Sequence, residues 1–144
     1  MKTIDFSNMI LGKAASKTAK LLLNGESIVV LHAEKAVVRG TKKGILEKFL
    51  RRYGWRAKGN PQTHGPKMSR LPNHLVFFSI KHMLPSNARG KSAQDRLTVC
   101  LGFPKRFEKT SVEKWSEIEN TEKKKFLTMA QISEELGLVR KEKA

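Results

Sequence analysis

The sequence predicts an α/β domain in which a largely parallel sheet is covered by helices, and three features carry that expectation. Ile28-Val29-Val30-Leu31 is an unbroken aliphatic run, the pattern of a strand buried on both faces. Segments with apolar residues at helical spacing alternate with short strand-like runs in the order β-α-β-β-α-loop-α-β, which builds a layered α/β fold. The 144 residues suit one domain, with a core large enough to need neither disulfide nor metal.

Residues 2–6 read as a short strand, with Ser7 or Asn8 placed to cap a helix over about Met9–Leu23. That helix carries Ile10, Leu11, Ala14, Ala15, Ala19, Leu22 and Leu23 at helical spacing, and Gly25 ends it. Ile28–Leu31 follows as a strand, and Ala36-Val37-Val38 is a second short run stopped by Gly40. Thr41 can cap a helix over 42–53 with Ile45, Leu46, Phe49, Leu50 and Tyr53 inward and Lys48, Arg51 and Arg52 outward. Residues 54–70 hold three glycines, two prolines and no periodicity, and so read as a long loop with a function. Pro72 opens a helix over 72–84 with Leu75, Val76, Ile80, Met83 and Leu84 inward, stopped by Pro85. Residues 86–92 read as a second basic loop, and Leu97, Val99, Leu101 and Phe103 alternate as a final strand with Cys100 on its other face. A charged connector leads to a C-terminal helix starting at Thr128, where Gln131 three residues on completes a capping-box pattern. Met129, Ile132 and Leu136 give it a narrow apolar stripe, closed by Gly137.

Charge is the strongest functional signal. Lys and Arg number 29 against 13 Asp and Glu, a net charge of +16. Such an excess repels itself in a compact fold unless a polyanion neutralises it. Residues 39–109 carry 17 basic and 3 acidic side chains, whereas 110–144 carry 7 of each. One domain over 1–144 is expected, with a basic core over 1–109, an RNA-binding insertion at 54–70 and a charge-neutral extension over 110–144. Cys100 is the only cysteine, so no internal disulfide forms, and a reducing, cytoplasmic location is expected. No apolar run is long enough for a signal peptide or a membrane span, and no basic amphipathic segment leaves an apolar face for lipid.

Enzymatic and metal-binding patterns are weak by comparison. Gly90-Lys91-Ser92 matches the tail of a phosphate-binding loop, but the glycine needed five residues earlier is Pro85. His32, His64, His74 and His82 are scattered and lack metal-ligand spacing. Asp5, Glu34, Glu47, Asp95 and Glu108 are each accounted for by helix-end or ion-pair roles, and Cys100 by an inert buried thiol. No enzyme activity, cofactor, metal or small-molecule substrate is expected.

The basic constellation differs in kind. Arg39, Lys42, Lys43, Lys48, Arg51, Arg52, Arg56, Lys58, Lys67 and Arg70 fall within one 32-residue stretch, with Tyr53 and Trp55 interleaved. Cations for phosphates, aromatics for unpaired bases and glycines for close backbone approach together point to nucleic acid. Lys13, Lys35, Asn60, His64, Lys81, His82, Arg89 and Lys91 complete the candidate RNA-contacting set.

At several of these residues the chain resembles a known family. Ile10-Leu11-Gly12-Lys13-Ala14-Ala15-Ser16, His32–Gly40, Asn60-Pro61, Gly65-Pro66, Met83-Leu84-Pro85 with Arg89-Gly90, and Leu101-Gly102-Phe103-Pro104 occur in the order found in ribosomal large-subunit protein thirteen, archaeal or eukaryotic type. The resemblance runs from about residue 3 to 138. It implies a three-layer α/β/α fold with a small, mostly parallel sheet. It also implies a structural role in the large subunit, with large-subunit rRNA and neighbouring ribosomal proteins as partners. A non-ribosomal RNA-binding regulator or assembly chaperone is the alternative that shares every charge feature.

Overall fold

The computed structural model describes residues 1–55, 58–60, 63–66, 68–107, 110–121 and 125–137. In chain order its elements begin β1 (Lys2–Asp5), α1 (Leu11–Leu23), β2 (Ile28–Leu31), β3 (Val37–Arg39), α2 (Lys42–Tyr53) and α3 (Pro72–Lys81). They continue with α4 (Ala88–Asp95), β4 (Leu97–Val99), β5 (Val112–Glu113), β6 (Phe126–Thr128) and α5 (Met129–Glu135).

The main sheet has the order β4-β2-β1-β5 with every pair parallel. All four residues of β2 are buried, although successive side chains point to opposite faces, so this strand is covered on both sides. Helices lie on both sides of the sheet, giving the three-layer α/β/α arrangement. Small residues bring α1 close: Ala14, Ala15 and Ala19 are buried on one stripe with Leu22, whose full burial stabilises by roughly 1.5–3 kcal/mol. Gly25, at φ +96°, ends α1 in a left-handed conformation that side chains with a Cβ rarely adopt.

The start of α1 differs from the expectation. The helix begins at Leu11 behind Ile10, with no side-chain cap. Ser7 instead gives its N–H and hydroxyl to Asp5 Oδ1 (2.9 and 2.7 Å), and Asn8 is left-handed at φ 59°. Met9 and Ile10 are taken into bridges with Glu119 and Val37, which holds them extended.

β3 also leaves the main sheet. It pairs antiparallel with β6, in a two-stranded ribbon with Val37 opposite Thr128 and Arg39 opposite Phe126. The expected charged connector therefore contains two strands, β5 and β6. The final strand in the main body stops at Val99, and Leu101 and Phe103 are exposed. There the backbone turns to meet residues 32–34: His32 N–H donates to Gly102 C=O (3.1 Å) and Gly102 N–H to the Glu34 carboxylate (3.1 Å to Oε2).

Two expectations in the middle of the chain are corrected. Helix α3 ends at Lys81 rather than 84, and Met83 is exposed while Leu84 is buried. Residues 88–95 are helical, where a basic loop was expected. Asn87 Oδ1 accepts from Gly90 N–H (3.0 Å) and caps this helix, and Gly90 lies so close beneath Pro85 that an added Cβ would sit 1.8 Å from its carbonyl oxygen.

The C-terminal helix forms as its sequence pattern indicates. Thr128 Oγ1 accepts from Gln131 N–H (3.3 Å), and Gln131 Oε1 accepts from Thr128 N–H (3.1 Å). Met129, Ile132 and Leu136 are buried, α5 packs on α3, and Ser133 Oγ donates to the Arg70 carbonyl.

Candidate nucleic-acid interface

Helix α2 is shaped by its own sequence. Thr41 Oγ1 accepts from Gly44 N–H (3.4 Å) at its start. Ile45 is buried, and Leu46, Phe49 and Tyr53 pack half-buried against the core. Leu50, expected inward, is 52% exposed. Lys42, Lys43, Lys48 and Arg51 are exposed and Arg52 is half-exposed.

The placement of these charges is informative. Arg51 and Arg52 in the last turn of α2 are favourable to the helix dipole, but Lys42 and Lys43 in the first turn oppose it by ~0.3–1 kcal/mol each. Lys13 stands in the first turn of α1 and Arg89 in that of α4, and none of the five α-helices described has an acidic residue in its first turn. Helix stability alone would favour carboxylates there. Lys42 Nζ also meets Glu135 Oε1 at 2.5 Å, which offsets part of its cost.

A cleft of about 710 Å³ opens where β3, α2, α3 and the first turn of α1 meet. It brings together Arg39, Lys48, Arg52 and His82 of the sequence-derived set. Arg39 Nε donates to Asn120 Oδ1 (3.0 Å), and the His82 ring stacks on Phe78 with centroids 6.1 Å apart. Lys81 Nζ lies 5.8 Å from the Phe78 ring centroid on the same helix end.

The basic loop leaves α2 and returns to α3 through a closed neck. The Tyr53 hydroxyl donates to Met68 C=O (2.5 Å), and the Arg70 guanidinium lies 5.1 Å over the Tyr53 ring. Between them Trp55 is 55% exposed, and Lys58, Asn60 and His64 are exposed, with Asn60 C=O accepting from His64 N–H (2.9 Å). Arg56 and Lys67 lie outside the described residues. Lys35, Arg89 and Lys91 are exposed but do not line the cleft. Arg89 Nη2 donates to Leu23 C=O (3.1 Å) and so also ties α4 to the end of α1.

Phe78 was not singled out from the sequence, and Phe49 was assigned wholly to the core, yet both line the cleft. The available signal was the spacing of Phe78 and His82, one helical turn apart.

The acid–base groups lie elsewhere and serve the fold. Burial would raise the Asp5 pKa, but hydrogen bonds from the Ser7 hydroxyl and N–H and from His32 Nδ1 (3.0 Å) together hold it below the ordinary value. Cys100, expected to be buried, is half-buried, and burial still pushes its thiol pKa up against a smaller opposing effect of Arg106. Among the described residues, no three His, Cys, Asp or Glu side chains are grouped to hold a metal, and no helix is long and apolar enough to cross a membrane.

Residues 1–106 match the family model described as ribosomal protein L13. The chain belongs to the ribosomal protein L13 family. Among curated members, the large ribosomal subunit protein uL13 of Archaeoglobus fulgidus is 38% identical, over 93% of this chain and 86% of its own length. Those of Methanocaldococcus jannaschii and Thermoplasma volcanium are 37% and 35% identical, each over 95% of this chain and 98% of their own. Ribosomal protein L13 is a structural component of the ribosome and not an enzyme.

Proposed function

We propose that this chain binds large-subunit rRNA in the cytoplasm and supports assembly of the large ribosomal subunit and translation. The observation that carries the reading is the convergence of Arg39 of β3 with Lys48 and Arg52 of α2 on one cleft, beside the His82 ring at the end of α3, with helix starts elsewhere on the surface also carrying cations in place of acids. Lys42, Lys43, Lys48, Arg51, Arg52, Arg56, Lys58, Lys67 and Arg70 contact phosphates, and each releases counterions on binding. Lys13, Lys35, Arg39, Lys81, Arg89 and Lys91 extend the same surface. Trp55, His64, His82 and Asn60 supply stacking and hydrogen bonds to unpaired bases. The parallel sheet holds these elements in fixed relation, and neighbouring large-subunit proteins complete the environment.

Arg51, Arg52, Arg56 and Lys58 changed together to Ala test the reading. Affinity for a large-subunit rRNA transcript falls, and the slope of log affinity against log salt decreases by roughly 3–4, while the melting temperature hardly moves. Unchanged affinity and slope would sink the proposal. Co-sedimentation with large subunits after a high-salt wash separates the ribosomal role from that of a free RNA-binding regulator.

A further inference from the structure

We propose that the cleft between α2 and α3 is a receptor for a single unpaired nucleotide extruded from structured RNA. This rests on the RNA-binding reading above and names what one part of that surface recognises.

The cleft has an apolar floor and a cationic rim. Ile45 and Leu75 are buried at its base, and Phe49 and Phe78 stand half-exposed above them. Lys48, Arg52 and His82 reach solvent at its edge, and none of the described lining residues is a carboxylate. A nucleotide has the complementary division: a flat base that gains from leaving water, joined to a phosphate that needs cations. Its volume of about 710 Å³ lies within the roughly 300–1,000 Å³ of pockets that enclose a small molecule. That leaves room for a base and its sugar, whereas a paired helix is too wide to enter.

Phe49, Phe78 and His82 offer ring surfaces to the base. His82 is already stacked on Phe78 at an interplanar angle of 25°, so the aromatic wall is formed before the nucleotide arrives. Lys48 and Arg52, one turn apart on α2, are spaced to hold the phosphates on either side of the extruded nucleotide. The exposed thioether of Met83 closes the cleft's outer edge and can slide over a base of any identity. Recognition is therefore of the unpaired state rather than of sequence.

Two RNA hairpins, identical except for one bulged 4-thiouridine, test this with the full chain. The unmodified protein should bind the bulged hairpin about tenfold more tightly, the worth of one stacked base. Irradiation should crosslink the thiouridine to Phe49, Phe78, His82 or Met83. Ser79 of α3 also lines the cleft, and Ser79→Phe, which fills it without changing its charge, should abolish the preference while leaving affinity for the paired hairpin unchanged. If that variant fails to fold, the crosslink position on the unmodified chain decides. Equal affinity for the two hairpins, or crosslinks outside the cleft, overturns the receptor and leaves the cleft to an apolar side chain of a neighbouring protein, with RNA binding intact. Absence of salt-sensitive binding to either hairpin instead overturns the RNA-binding reading itself.

Discussion

The Tyr53 hydroxyl donates a 2.5 Å hydrogen bond to the Met68 carbonyl and draws together the two ends of the basic loop. The Arg70 guanidinium covers the same ring at 5.1 Å, so one side chain holds both the neck and the first cation beyond it. Tyr53→Phe keeps the ring and removes the bond. Unfolding free energy should fall by about 0.5–1.5 kcal/mol in urea titration. Trypsin should cut after Lys58 faster than in the parent, because the loop opens without global unfolding.

Trp55 is more than half exposed and contributes little to the core. Trp55→Ala should change stability by less than about 0.5 kcal/mol. Affinity for large-subunit rRNA should nevertheless fall by about tenfold, read by filter binding, since stacking on a base is worth ~1–3 kcal/mol.

Lys42 stands where it opposes the α2 dipole while pairing with Glu135. Both groups are well exposed, so the pair is worth ~0–1 kcal/mol and roughly cancels the dipole cost. Lys42→Ala should leave the melting temperature within a few degrees of the parent and lower the salt slope of RNA binding by about 0.9.

Gly90 packs directly against the backbone of Pro85. A methyl group there meets the Pro85 carbonyl oxygen at 1.8 Å, so Gly90→Ala should cost ~1–3 kcal/mol or more and loosen α4 with its Arg89. Amide hydrogen exchange in residues 88–95 would show it.

Asp5 gives the fold a pH dependence of defined sign. Its pKa in the folded chain lies below the ordinary value of 3.8, so the unfolded chain binds the proton first as pH falls. The stability it supplies is complete above the ordinary value and is lost as pH drops through the folded one. Asp5→Asn should be less stable by about 1–2 kcal/mol near neutrality, reduced by the group's partial exposure. The difference should shrink to nothing in strongly acidic solution, as chemical denaturation across a pH series would record.

Much of the fold was legible because local chemistry and burial agree. The aliphatic run of β2, the Thr41 and Thr128 caps and the glycine after α1 each name their own structure. Misreadings arose where long-range pairing overrode the local pattern. Met9 and Ile10 look helical but are captured by Glu119 and Val37. Leu101 and Phe103 alternate like a strand but are turned aside by the backbone of residues 32–34. Residues 86–92 look like a loop because Gly90 weakens helical propensity, while the reason for that glycine is a close approach invisible in sequence. The candidate cations were equally legible as a group. Their convergence on Phe49 and Phe78 was not, because it depends on how α2 and α3 meet.

The β3–β6 ribbon has a consequence for how the chain reaches its native state. Val37 can find its partner only after Thr128 has been made, so this pairing closes one of the longest loops in the molecule. The parallel strands β1, β2 and β4, with the helices between them, are all synthesised earlier. The ribbon is thus a late latch, and the segment bearing most of the positive charge leaves the ribosome before that latch can shut.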